Sequence, residues 1–283
     1  MLGKLMKYDL RSMLRRFGGL WIAIAALSVI NGFSIRGAFE QATARSGWAT
    51  FFLSVLPPML LFGLYVATGV LTLIFICERF YKGLLGDEGY LMFTLPASVS
   101  AHIGAKTLSA LILELLSFLV AVASGMLLLA ISAPEELANS WQTLREGLAQ
   151  VSLPASLPWL IVECVVLSLV GIAAETLKIY AAIALGHLAK KHRVLWAILS
   201  YIGINIVLNF LLGLSVERAV AWDLFSGLVN PNFGIEFANG QWVIEGAGLA
   251  AGVTGGAIVA ELLLCAVLFF LTRWILKNKL NLE

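Results

Sequence analysis

The chain has 283 residues, of which 60% are hydrophobic and only 13% charged, with a formal net charge of +2. Soluble domains carry about a quarter of their residues as charges, so this composition excludes an ordinary water-soluble globule and indicates an integral membrane protein. No polar block is long enough to form a soluble domain, and residues 1–283 read as a single membrane domain, with membrane lipids and no nucleic acid as its expected surroundings.

In chain order, residues 1–16 come first. Leu2, Leu5, Met6, Leu10, Met13, Leu14 and Phe17 recur at helical spacing, with Lys4, Lys7, Arg11 and Arg15 on the opposite stripe. This pattern predicts a basic amphipathic helix at the membrane surface, its cations near lipid headgroups. A docking surface for a cytosolic partner is compatible with that role. Ala42-Thr43-Ala44 mimics a signal-peptide cleavage site, but the apolar run before it is too long for a signal core, so 17–35 reads as a retained span.

Bilayer spans need about 20 mostly apolar residues. Segments 17–35, 49–77, 107–131, 159–187, 194–215 and 247–274 qualify, which predicts six spans. The second and fourth exceed the bilayer thickness and must tilt, kink or protrude, and Pro57-Pro58 offers the second a kink. Between the second and third spans lies the punctuated segment 78–106, containing "GDEGYLMFTLP" from Gly86 to Pro96. A short helix over 78–85 can end at Gly86, with Ser98 or Ser100 capping the next helix after Pro96. The connection 133–158 carries Leu137, Trp141, Leu144, Leu148 and Val151 as an apolar helical stripe, suited to the outer leaflet or to packing on the connection 216–246. In that later connection, Asn239-Gly240 between two β-prone runs predicts a small outer hairpin. Gly248, Gly252 and Gly256 then place small residues on one face of the sixth span and predict close helix packing there.

The basic residues sort by side. Fourteen fall in the N-terminus, the connections after the second and fourth spans, and the C-terminus; only Arg36, Arg45, Arg145 and Arg218 fall in the other connections. By the positive-inside rule both termini are cytoplasmic, and an even number of spans agrees. Trp21, Trp48, Trp159, Trp196 and Trp274 near span ends suit the headgroup region. The widely separated Cys77, Cys164 and Cys265 indicate neither a disulfide framework nor a zinc site, and read as buried structural thiols.

Ionisable residues inside spans are costly and face the protein interior or water. Glu114, Glu163, Glu175, Lys178 and Glu261 fall in spans, with Glu175 and Lys178 spaced to pair on one helix face. Glu114, Glu175, Lys178 and Glu261 either pair within the bundle, fixing helix register, or line a polar translocation path; both readings stay open. Asn31, Asn205 and Asn209 are candidates for interhelical hydrogen bonds. No P-loop and no HExxH motif is present, and Glu135-Glu136 has no histidine nearby in sequence. His102, His187 and His192 read as interfacial or solvated. No catalytic constellation, metal site or cofactor site of the chain's own is indicated.

The stretch "ERFYKGLLGDEGYLMFTLPASVSAHIGAKTL" (78–108), together with "YAAIALGHLAKKHRVLWAILSYIGI" (180–204), resembles the bacterial ABC transporter permeases of the type-2 exporter family. The likeness extends over the whole chain as general organisation and is specific in those two segments. It implies an all-α integral membrane protein: a six-helix transmembrane bundle with an amphipathic N-terminal helix and a short cytoplasmic coupling helix. It further implies a dimer with a second permease copy or a paralogue, in a bacterial cytoplasmic membrane, driven by a separate cytosolic ATPase that uses ATP and Mg. The coupling candidates carried over by resemblance are Arg79, Phe80, Tyr81, Lys82, Asp87, Glu88 and Tyr90. A membrane-embedded enzyme, or a non-transport immunity or sensor protein, are the alternative readings.

Overall fold

The computed structural model describes residues 2–41, 48–85, 98–152, 157–189, 191–221, 234–238, 241–245 and 247–278. Seven α-helices dominate them: α1 (Leu2–Gln41), α2 (Trp48–Phe80), α3 (Val99–Ser132), α4 (Pro134–Gln150), α5 (Leu157–Gly186), α6 (Arg193–Ala221) and α7 (Ala247–Asn278). All but α4 are long and apolar enough to cross a membrane, which makes the protein an all-α, six-span membrane bundle. Large side chains such as Phe62, Phe118, Phe210 and Phe270 are exposed along the spans, as lipid-facing positions must be. Polar side chains within the spans turn inward chemically: Ser28, Thr68, Thr72, Thr176 and Thr272 each donate to the carbonyl four residues earlier, which keeps these five hydroxyl protons satisfied in hydrocarbon.

Helix contacts divide the chain into two units, 1–76 with 112–147, and 77–111 with 148–283. In the first unit Met13, Phe17, Phe75 and Leu113 form a buried cluster, with Leu10, Leu20 and Trp21 packed on it. Phe17 meets Phe75 edge-on at 5.7 Å, and Trp21 Nε1 donates to Ser117 Oγ at 3.3 Å. Trp21 is therefore also a packing residue of α1. Asn31 Nδ2 donates to Pro57 O at 3.0 Å, tying α1 to α2 beside the proline pair, and α2 runs through both prolines as one helix. Gly32 allows α1 to approach α3, since a Cβ there would lie 2.7 Å from Ile131 Cβ.

The amphipathic N-terminal stretch is continuous with the first span in a single helix of 40 residues. No proline interrupts Leu2–Gln41, and Met13 and Phe17 of its apolar stripe are buried against protein, not laid on lipid.

In the second unit α5 packs on both α6 and α7. The turn between α5 and α6 is tight: a Cβ on Gly186 would lie 2.5 Å from Ala197 N, and His192 takes the left-handed conformation at φ 55°. The hairpin is present: β2 (Gly234–Ala238) pairs antiparallel with β3 (Gln241–Glu245), Ala238 opposite Gln241. That register leaves the two-residue connection 239–240 a type I′ turn favours, although Asn239 and Gly240 lie outside the described residues. A two-residue strand β1 (Val151–Ser152) pairs parallel with β3, giving the order β1-β3-β2. The connection 133–158 thus does meet the later one, through Val151. Leu137, Trp141 and Leu144 on α4 are exposed, while Glu135 and Glu136 occupy its first turn, where the helix dipole favours acids.

Within the single chain, a Cβ on Gly252 or Gly256 would meet nothing within 4 Å, and α7 touches α5 through Thr254, which donates to Glu163 Oε2, and Gly255, 3.7 Å from Glu163 Oε1. Gly248 lies in α7 where side-chain surroundings are outside the described residues. Cys164 is exposed on the outer face of α5, and Cys77 and Cys265 are only half-buried, so the three are not all core thiols.

Candidate functional site

Two groups of residues in the second unit carry the chemistry. The first surrounds the end of α2. Ser98 caps α3, its Oγ accepting from Ala101 N at 3.3 Å, as the sequence anticipates. From there α3 brings Lys106 to the end of α2, where its Nζ donates to Arg79 O at 2.9 Å while the residue is only 4% exposed. The ammonium gives this main-chain carbonyl a charged donor just where the α-helical pattern passes into a wider turn. Room for it is made by Gly83, where a Cβ would lie 2.6 Å from Lys106 Nζ. The chain from Tyr81 to Leu85 widens into a π-helical turn around this point.

Residues 78–85 are therefore no separate short helix: Glu78–Phe80 complete α2, and the π turn follows without a break. Phe80 is fully buried and stacks on Tyr180 of α5, with centroids 4.1 Å apart and planes 12° from parallel. It works inside the fold and offers no face to a partner. Tyr81, 5.4 Å from the His187 ring, and Lys82 are exposed, and Arg79 is half-exposed. Lys82 also pairs with Glu78 at 2.6 Å, one helical turn back. Asp87, Glu88 and Tyr90 lie outside the described residues. Just beyond α5, His187 has its Nε2 buried without a hydrogen-bond partner. Burial holds the His187 imidazole below its ordinary pKa, and the Arg193 charge adds to this.

The second group lies deeper in the helices. Lys178 Nζ donates to Glu175 Oε1 at 2.7 Å; the Lys178 side chain is 10% exposed and that of Glu175 53%. Tyr201 of α6 reaches Glu175 Oε2 at 3.5 Å. On α7, Glu261 has Oε2 buried without a partner, and Cys265 Sγ points to Val170 O at 3.8 Å. This contact joins α7 to α5, the helix that carries Glu175 and Lys178. Glu114, half-buried on α3, belongs to the first unit. Asn205 and Asn209 donate back to Tyr201 O and Asn205 O on their own helix, so of the three asparagines only Asn31 bridges helices among the described residues.

Sequence reasoning missed Lys106, Gly83 and Tyr180. Lys106 counted as a loop cation, and nothing in one dimension pairs residue 80 with residue 180. The available signals were a lysine and a glycine in otherwise helix-compatible runs, which many solvated positions share.

The fold and these groups define a class: a multi-pass, all-α membrane protein with ionisable side chains inside its spans. Compared with protein-family models, curated proteins and solved structures, the chain finds no match in any of the three.

Proposed function

We propose that this chain is the membrane-spanning permease subunit of an ATP-driven exporter of the type-2 ABC kind, working with a separate cytosolic ATPase and a second permease copy or paralogue. The observation that carries this reading is Glu175: a carboxylate 53% exposed at its side chain, within an apolar helix, with Lys178 and Tyr201 beside it. Such a group does not face lipid; it faces a polar path or another subunit. The resemblance of 78–108 and 180–204 to exporter permeases points the same way.

In this mechanism both termini lie on the cytoplasmic side of a bacterial plasma membrane. ATP and Mg bind on the partner ATPase, and this chain contributes no catalytic residue. The partner seats on the segment around Arg79, Tyr81, Lys82, Asp87, Glu88 and Tyr90. Displacement of that segment passes into α5 through the Phe80–Tyr180 stack, two residues from Lys178. The pair Glu175–Lys178 and Glu261 then line the path whose access alternates. Apolar spans suit amphiphilic cargo.

The test is co-purification of the chain with an ATPase and ATP-dependent transport in proteoliposomes. Asp87→Arg with Glu88→Arg should abolish the complex while leaving the chain folded. An unaltered complex and unaltered transport would show that docking lies elsewhere. Wild-type chain that captures no ATPase from its native membrane refutes the exporter reading itself.

A further inference from the structure

We infer that α1 carries a binding ridge for anionic phospholipid headgroups, formed by Lys7, Arg11 and Arg15. The three cations share one helix face and are exposed. Among the described residues no carboxylate pairs with any of them. The opposite face is closed off by protein, because Met13 and Phe17 are buried in the cluster with Phe75 and Leu113. The cationic ridge therefore points outward on a helix that is braced from behind.

Its height in the bilayer follows from what it packs against. Arg16 places its guanidinium 5.3 Å from the centre of the Phe75 ring, and Phe17 meets the same ring. Phe75 lies three residues before Glu78, the first charge at this end of α2. At 1.5 Å per residue, that charge is about 4.5 Å further along the helix. The level of Arg16 is thus the edge of the hydrocarbon. Arg11 stands about 7.5 Å and Lys7 about 13.5 Å before Arg16 along the axis, and a headgroup layer is roughly 5–8 Å deep. Arg15 and Arg11 lie within that layer, and the long side chain of Lys7 reaches it from the aqueous rim. Tyr8 (70% exposed) and Leu14 (47% exposed) flank the ridge, a phenol for the interface and an aliphatic group for the first acyl carbons. Guanidinium forks at this height match lipid phosphate oxygens. An upright, braced ridge differs from an amphipathic helix lying flat, since its apolar residues are already used.

The inference stands apart from the exporter reading. It is tested on the purified full chain in neutral detergent micelles doped with phosphatidylglycerol or with phosphatidylcholine, counting retained lipids by native mass spectrometry. Wild type should retain phosphatidylglycerol in preference. Each cation contributes about fivefold, so Lys7→Gln, Arg11→Gln and Arg15→Gln together should lower that preference on the order of a hundredfold. The charge-preserving set Lys7→Arg, Arg11→Lys and Arg15→Lys should retain it, and controls for a variant that fails to fold. Equal retention of the two lipids by wild type, or an unchanged preference in the neutralised variant, overturns the inference. So does a neutralised variant that keeps its lipids and loses only a cytosolic protein partner, which would reassign the ridge to protein docking.

Discussion

Replacing Gly186 with alanine would put a methyl carbon 2.5 Å from Ala197 N and 2.7 Å from its Cα and Cβ. Unbonded carbons settle at about 3.5–4.0 Å, so α6 must retreat by roughly 1 Å or the end of α5 must unwind. The obstructing atoms are largely backbone, so no rotamer change relieves the clash. Overpacking of this kind costs about 1–3 kcal/mol. Against it stands the gain of alanine over glycine in a helix, about 1 kcal/mol at most. The net loss of up to about 2 kcal/mol should lower the thermal midpoint by up to roughly 8 °C for a chain of this size. The comparison that makes the argument sharp is Gly252→Ala, where a Cβ meets nothing within 4 Å. That variant should hold or raise the midpoint. The assay is the fraction of monodisperse protein after heating, read by size-exclusion chromatography in one detergent. A Gly186→Ala protein as stable as wild type, or equal losses at both positions, would refute the reasoning from close approach.

Tyr180→Leu removes the stack on Phe80, worth about 0.5–1.5 kcal/mol beyond burial; in the reconstituted complex, ATP hydrolysis should persist while transport falls, and parallel loss of both would show no role in transmission. Lys178→Met should cost about 1 kcal/mol or less in stability because Glu175 is half-exposed. It and Glu261→Gln should each reduce transport at least tenfold with normal yield of folded protein, whereas misfolding would assign both residues to bundle stability. His187 is held below its ordinary pKa of 6.5, so the folded state binds fewer protons than the unfolded one in that window. Its contribution to stability is therefore complete above about pH 6.5 and is lost as pH falls through the folded value. His187→Gln should flatten the pH dependence of the thermal midpoint between pH 5 and 7, and an unchanged slope would show that another group causes it.

The spans were legible from the sequence because hydrocarbon imposes a crude rule that each helix satisfies alone: about 20 apolar residues in a row. Helix ends were less legible. α1 and α2 continue past the predicted borders because a helix, once formed, stops only at a breaker or an alternative partner for its backbone. The Ser98 cap and the hairpin around residues 239–240 were readable since both are local devices that need particular residues. The partner of α7 was not legible, because small residues permit close packing without naming a neighbour; within the chain α7 approaches α5 through Thr254 and Gly255.

For this protein, then, composition and periodicity sufficed for class, span number and the position of ionisable residues along each helix. Tertiary structure alone decided which of those residues meet. Lys106 at the Arg79 carbonyl, Phe80 on Tyr180, and Thr254 on Glu163 all join residues distant in sequence. The physical reason is that hydrophobic partition acts on one helix at a time, whereas a buried ammonium or an aromatic stack exists only once two helices have found their relative rotation and height.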